Sequence, residues 1–137
     1  MAYWLVKSEP STYSWDQLVK EGRTFWSGVR NFQASNNLKA MKNGDRTFFY
    51  HSGEDKAVVG IAEVVKEYYP DHTDATGEFG MVDVKAVSAL KTPVTLAQIK
   101  AEPKLKDLLL VRQSRLSVMP IDPASWKLIC AMGGVKP

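Results

Sequence analysis

The stretch "RTFFYHSGEDKAVVGIAEVVKEYY", residues 46–69, consists of two apolar runs joined by a short polar segment. The run Arg46–His51 is typical of a buried strand, and Ala57–Tyr69 is the longest predicted strand of the chain. The segment between them contains a glycine and several charged residues, which favour a turn. Gly60, inside the second run, indicates a bulge or the close approach of another segment. The stretch therefore predicts an antiparallel hairpin.

Further strands and short helices are predicted on both sides of this hairpin. Strands are predicted at residues 3–7, 81–90 and 115–121. Helices are predicted to follow Ser14 and Asp122 and to cover residues 31–42 and 96–101. The helix over residues 31–42 is expected to turn Ser35 outward. Five or six mostly antiparallel strands in so short a chain predict an α+β fold with a strongly curved or closed sheet.

The composition is that of an ordinary globular protein. The chain has 137 residues, of which 45% are hydrophobic, and this predicts a single domain over residues 1–137. One cysteine excludes an internal disulfide framework and a cysteine-rich zinc site. No run approaches the ~20 apolar residues that a membrane span requires. We therefore expect a soluble cytoplasmic protein without a membrane partner.

The charges are distributed unevenly along the chain. Residues 54–83 carry eight acidic residues against two basic ones, whereas residues 20–46 and 84–137 carry an excess of lysine and arginine. The pattern predicts one basic face, with the acidic residues of 54–83 turned away from it. A basic face is typical of a protein that binds a polyanion such as nucleic acid. Ordinary solvated charge is the alternative.

Motifs for catalysis and metal binding are missing. The chain has no phosphate-binding glycine loop and no nucleophile elbow, and His51 and His72 do not have metal-ligand spacing. Cys130 lies on an apolar helix stripe, which indicates a buried and unreactive thiol. A lone histidine at a strand end, such as His51, is more often a structural hydrogen-bonding residue than a base. The residues therefore predict no metal and no cofactor.

The segment "FWSGVRNFQ", residues 25–33, contains the most promising binding residues. Gly28 permits a tight turn or the close approach of a ligand. Asn31 occupies the N-cap position of the following helix, and Arg30 beside a helix start favours an anion site. Trp26 offers a flat surface on which a base could stack. The alternative is that Trp26 belongs to the core and Arg30 is a surface charge, and the residues alone do not decide between the two.

Several segments, taken in order, resemble the EVE-domain proteins. They are "YWLVKSEP", "FWSGVRNFQASNNLKAMKNGD", "FFYHS", "GIAEVVKEYYPDHT", "MVDVKAV" and "RLSVMP". The resemblance implies a PUA-like fold, a small mixed pseudo-barrel of five to six strands flanked by short helices. It also implies kinship with the YTH domains, which hold a methylated adenine in an aromatic cage. Members of this family are regarded as readers of modified bases.

The resemblance implies a ligand pocket between "KSEP", "WSGVRNFQ", "HS" and "RLS". The expected ligand-binding residues are Lys7, Ser8, Trp26, Ser27, Gly28, Arg30, Asn31, Phe32, His51, Ser52, Arg115, Leu116 and Ser117. Arg115 and Ser117 are expected on one face of a strand. Two positions depart from the family pattern, because Ser35 replaces a frequent basic residue and Phe32 replaces a tyrosine. Fewer phosphate contacts and a different base preference would follow.

Three functions remain open on the sequence. The first is a non-catalytic module that binds a modified base in DNA or RNA by stacking and by hydrogen bonds to the base edge. The second is a hydrolase or ribonuclease like the ASCH group of PUA-like proteins, using Lys7, Glu9 and His51. The third and weakest is a domain that binds only proteins, and the sequence identifies no particular protein partner.

Overall fold

The computed structural model describes residues 1–137 as a mixed six-stranded sheet with short helices around it, which confirms the predicted fold class. The strands are β1 (Tyr3–Ser8), β2 (Arg23–Phe25), β3 (Arg46–His51), β4 (Ala57–Pro70), β5 (Gly80–Thr95) and β6 (Val118–Ile121). The α-helices are α1 (Trp15–Glu21), α2 (Phe32–Ala40), α3 (Leu96–Ala101), α4 (Leu109–Arg112) and α5 (Pro123–Met132). A single 3-10 turn covers Pro103–Leu105. None of the helices is long and apolar enough to cross a membrane.

The sheet has the strand order β2-β5-β4-β3-β1-β6. The predicted hairpin is present, since β3 and β4 pair antiparallel in the middle of the sheet. Only β1 and β3 pair in parallel. The two outer strands, β2 and β6, do not pair with each other, so the expectation of a closed sheet is wrong. They are only three and four residues long, and short outer strands limit the exposed edge without closure.

The adjacent residues Phe48 and Phe49 of β3 organise the packing on the two faces of the sheet. Successive side chains of a strand point to opposite faces. Phe48 stacks on Trp126 of α5, with ring centroids 3.9 Å apart, and Trp126 in turn stacks on Tyr3. Phe49 meets the edges of Trp15 and Trp26 at 5.4 and 5.5 Å on the other face. That second face supports the segments that follow β1 and β2.

The glycine inside β4 has the close neighbour that the sequence indicates. A Cβ atom at Gly60 would lie 2.6 Å from ring atoms of Trp15, the first residue of α1. The pairing of β4 also shifts register on both sides of this position. Gly60 therefore lets the indole of Trp15 lie directly on the backbone of β4, which fixes the start of α1 against the sheet.

Two local predictions are wrong. The last strand begins at Val118 rather than at Arg115, because a turn in which Leu116 N–H donates to Gln113 C=O precedes it. Ser35 is buried rather than outward, and its hydroxyl lies 3.1 Å from that of Tyr68. The polar Ser35 side chain is tolerated inside because Tyr68 provides its hydrogen bond.

Replacing Gly60 by alanine tests the contact with Trp15. The added methyl group cannot fit without displacing the indole, so we expect Gly60→Ala to lower the free energy of unfolding by about 1–3 kcal/mol. Urea unfolding measures this loss, and Ser88→Ala on the exposed part of β5 is the control, expected to stay within about 0.5 kcal/mol. Equal stability of the two variants would contradict the packing described here.

Candidate functional site

A cavity of about 610 Å³ opens between the end of β1, the segment that joins β1 to α1, the end of α1, β2 and the segment that joins β2 to α2. We call that joining segment, residues 26–31, the pocket loop. Eight of the expected ligand-binding residues line the cavity: Lys7, Ser8, Trp26, Ser27, Gly28, Arg30, Asn31 and Ser117. Segments from both halves of the chain therefore meet at one opening, as the resemblance implies. Whether these side chains contact a ligand stays a prediction.

The other five expected residues lie outside the cavity lining, for different physical reasons. Leu116 is buried in the core, and Arg115 is exposed in the turn before β6. The backbone N–H of Ser52 donates to Ser8 C=O, so Ser52 supports a lining residue from behind. Phe32 turns to the ring of Phe79 instead of the cavity. His51, the fifth, has a structural role.

Both ring nitrogens of His51 are engaged in hydrogen bonds. Its Nε2 accepts the backbone N–H of Trp15 at 3.0 Å, and its Nδ1 lies 3.1 Å from the carboxylate of Asp55. This geometry requires an Nδ1–H tautomer and ties the end of β3 to the start of α1. Lys7 and Glu9 line the cavity but His51 does not, so the three residues of the hydrolase alternative are not brought together.

The structure adds lining residues that the sequence reasoning missed. They are Thr12, Tyr13, Glu21, Thr24, Phe25 and Val29. The hydroxyl of Tyr13 donates to Glu21 at 2.6 Å, and the side-chain amide of Gln17 donates to the other Glu21 oxygen at 3.1 Å. These hydrogen bonds, that of Tyr13 first, lower the pKa of Glu21. The four-residue spacing of Gln17 and Glu21 places these two on one face of α1, whereas Tyr13 precedes the N-cap Ser14 and meets Glu21 only in the folded chain.

Trp26 belongs to the core and to the cavity wall at once. Only 8% of the residue is exposed, and its ring meets Phe49 and Tyr13 edge to face. Its backbone N–H donates to Val82 C=O at 2.7 Å, which continues the pairing of β2 with β5. The ring is therefore held rigidly, with a small part of its surface open to the cavity.

The pocket loop is held by one buried carboxylate, that of Asp71. Asp71 lies in the segment that joins β4 to β5, residues 71–79, which we call the hairpin tip. One of its oxygens accepts the backbone N–H of Gly28 at 2.8 Å and the guanidinium of Arg30 at 3.0 Å. The other accepts the backbone N–H and the hydroxyl of Thr73. Gly28 has a φ of +84°, a left-handed conformation that favours glycine.

The hydrogen bonds to Asp71 determine its protonation. Burial alone would raise its pKa, but the bonds from Thr73, Gly28 and Arg30 outweigh burial and hold the pKa well below its usual range. Asp71 is therefore ionised at neutral pH, and Arg30 is its counter-ion. The Arg30 guanidinium also donates to the hydroxyl of Thr73 at 3.0 Å, so it is not a free cation for phosphate.

The predicted separation of acidic and basic faces is wrong, because acidic residues of 54–83 form ion pairs with basic residues of the other segments. Besides the Asp71–Arg30 pair, Asp83 pairs with Arg23 at 2.9 Å, and Glu63 lies 3.6 Å from Arg46. Strand pairing brings these residues together, since β4 and β5 are the neighbours of β3 and β2. The cavity itself is lined by Lys7 and Arg30 against Glu9 and Glu21.

Comparison with known proteins agrees with this architecture. The EVE domain family profile matches residues 2–132. The chain belongs to the EVE domain family. Human thymocyte nuclear protein 1 is similar to this EVE domain, with 31% identity over 99% of this chain and 76% of its own length.

Solved structures superpose closely on this EVE domain. Rpa0253 from Rhodopseudomonas palustris is 58% identical, over 98% of this chain and 94% of its own, with a TM-score of 0.93. The human THYN1 protein in complex with 5-methylcytosine containing DNA is 32% identical over the full length of both chains, also with a TM-score of 0.93. The YTH domain of Zygosaccharomyces rouxii MRB1, solved with N6-methyladenosine RNA, shares the fold at 18% identity and a TM-score of 0.63.

Replacing Asp71 by asparagine tests its hold on the pocket loop of the EVE domain. The pKa of the Asp71 carboxyl is near 3.8 in the unfolded chain and lower in the folded protein. The ionised carboxylate therefore stabilises the fold fully at pH values above 3.8, and this stabilisation is lost as the pH falls through the folded pKa. We therefore expect Asp71→Asn to cost about 2–3 kcal/mol at pH 7 and less as the pH falls below 4.

Urea unfolding at pH 7 and pH 3 measures both costs. Asp107→Asn is the control, because Asp107 forms an exposed ion pair with Arg112 and should change stability by less than about 1 kcal/mol. A cost for Asp71→Asn that is equal at the two pH values would show that its charge does not hold the loop.

Proposed function

We propose that this EVE domain binds nucleic acid and takes a modified base into the cavity between β1, α1 and the pocket loop. The observation that carries the proposal is a cavity wall made of aromatic rings next to hydrogen-bonding groups. Tyr13 and Trp26 contribute rings, and Lys7, Glu21 and Asn31 contribute polar atoms. A relative of the same fold over its full length, the human THYN1 protein, is known in complex with 5-methylcytosine containing DNA.

The polar groups of the cavity suit the edge of a base that has an exocyclic amino group. The Glu21 carboxylate accepts from Tyr13 and Gln17 and has lone pairs left for a third donor. A carboxylate that accepts from the amino group of cytosine is a known form of base recognition. Asn31 uses its side-chain oxygen to cap α2, which leaves its amino group as a donor to a ring nitrogen or carbonyl of the base.

The aromatic wall provides the other part of the recognition. Stacking on an aromatic side chain contributes ~1–3 kcal/mol per base. A methyl group buried against Trp26 and Val29 adds roughly 1 kcal/mol, which is sufficient for a preference over the unmodified base. None of these contributions requires a catalytic group.

The phosphates of the strand belong outside the cavity in this proposal. Glu9 and Glu21 in the lining would repel a phosphate, and Arg30 is already paired with Asp71. Arg115 is exposed in the turn before Ser117, and because Ser117 lines the cavity, Arg115 lies near the opening. Arg115 also forms no ion pair. We assign a backbone phosphate to Arg115.

Replacing Trp26 by phenylalanine separates binding from stability. The smaller ring keeps the core contact with Phe49 but reduces the stacking surface, so we expect binding to a single-5-methylcytosine oligonucleotide to weaken by about 1 kcal/mol. Trp15→Phe is the matched control, because Trp15 also packs on Phe49 but does not line the cavity. Fluorescence anisotropy at fixed salt measures binding, and thermal unfolding measures stability.

Both tryptophan variants should lose a similar amount of stability, and only Trp26→Phe should lose affinity. Equal affinities of the two variants would count against the cavity as the base site. A parent protein that binds the modified and plain oligonucleotides equally well would refute the proposed function.

Replacing Arg115 by alanine tests the phosphate contact. We expect Arg115→Ala to weaken modified and plain oligonucleotides alike and to reduce the slope of log affinity against log salt by about one. Arg112→Ala is the control, since Arg112 is already paired with Asp107 at 2.9 Å. An unchanged salt slope for Arg115→Ala would place the phosphates elsewhere.

A further inference from the structure

Two phenyl rings stand exposed at the two ends of the pocket loop. Phe25, the last residue of β2, is 47% exposed, and Phe32, the first residue of α2, is 66% exposed. Apart from Met1, the other large exposed apolar side chains are the aliphatic Val19 and Val87. The two exposed phenyl rings, those of Phe25 and Phe32, therefore flank the cavity opening.

Each ring is backed by a second ring from the hairpin tip. Phe25 packs edge to face with His72, with centroids 4.8 Å apart, and Phe32 lies over Phe79 at 5.0 Å with 35° between the planes. Phe79 is fixed, because it is 8% exposed and its backbone N–H donates to Asp74 at 2.7 Å. Phe32 is thus supported on one side, while most of its surface stays open to solvent.

We propose that Phe25 and Phe32 are stacking platforms for the unpaired nucleotides on either side of the base in the cavity. The inference rests on the proposed function and extends it from one base to three consecutive nucleotides. Phe25 precedes Trp26 and Phe32 follows Asn31, and both of these neighbours line the cavity. A strand that places one base between them has an exposed ring on each side for its adjacent nucleotides.

The arrangement fits separate bases better than a protein partner. A protein interface has a continuous apolar centre, whereas the two rings are separated by the polar residues Ser27 and Arg30 of the pocket loop. Single-stranded nucleic acid is bound by isolated aromatic side chains, each of which takes one base. The rings also accept any base, so the platforms add affinity without adding sequence preference.

The test combines a protein change with a matched ligand change. Phe32→Leu keeps an apolar side chain of similar size and removes the flat ring. The first probe is a labelled trinucleotide with 5-methylcytosine in the centre, and the second is the same trinucleotide with abasic sites on both sides. Val87→Ala, on the exposed part of β5, is the control variant.

The expected result is a loss of affinity that depends on the presence of the flanking bases. Phe32→Leu should weaken the intact trinucleotide by about 5- to 100-fold and the abasic-flanked probe by less than about twofold. The parent protein should lose affinity on going to the abasic probe. Phe25→Leu should weaken the intact probe more than the abasic-flanked probe, although Phe25 also lines the cavity. Val87→Ala should leave both affinities unchanged.

Three results would overturn the inference. An equal loss for both probes would mean that Phe32 only supports the cavity. No loss for either probe would mean that the ring does not touch the strand. A change in self-association of Phe32→Leu, measured by sedimentation with binding intact, would assign the ring to a protein contact. Failure of the proposed function would appear differently, as a parent protein that does not distinguish 5-methylcytosine from cytosine in the central position of the intact probe.

Discussion

The site depends on the buried carboxylate of Asp71 more than on any other single group. It joins the hairpin tip to the pocket loop through Gly28 and Arg30, across a sequence separation of about forty residues. An ionised carboxylate without these donors would be costly to bury, so the loop and the carboxylate stabilise each other. The same contact converts Arg30 from a candidate ligand group into a structural residue and leaves the lining of the cavity close to electrically balanced.

The sheet positions the parts that Asp71 then joins. Phe48 and Phe49, adjacent in β3, direct one face of the sheet to α5 and the other to Trp15 and Trp26. Because Trp26 is anchored on Phe49 and paired through its backbone with Val82, the start of the pocket loop is as rigid as the core. A preformed wall of this kind binds a flat ligand without the entropic cost of ordering it.

The sequence predicts the local features well and the long-range contacts poorly. The N-caps Ser14, Asn31 and Asp122 are confirmed, because each depends on residues only three positions apart. The Asp71 contact and the ion pairs of Arg23 and Arg46 were missed, because strand order determines them. Tyr13 was missed because it precedes α1 and meets Glu21 only in the folded chain. The site residues that follow from the resemblance separate into those that line the cavity and those, such as His51, that support it.

The most direct test of base binding in the cavity is a titration of the ¹⁵N-labelled protein with an oligonucleotide that contains one 5-methylcytosine, followed by amide chemical shifts. The account predicts the largest shifts in the pocket loop, at Tyr13 and at Lys7, and smaller shifts with the plain oligonucleotide. Largest shifts in α5 or α3, with the pocket loop unchanged, would contradict it.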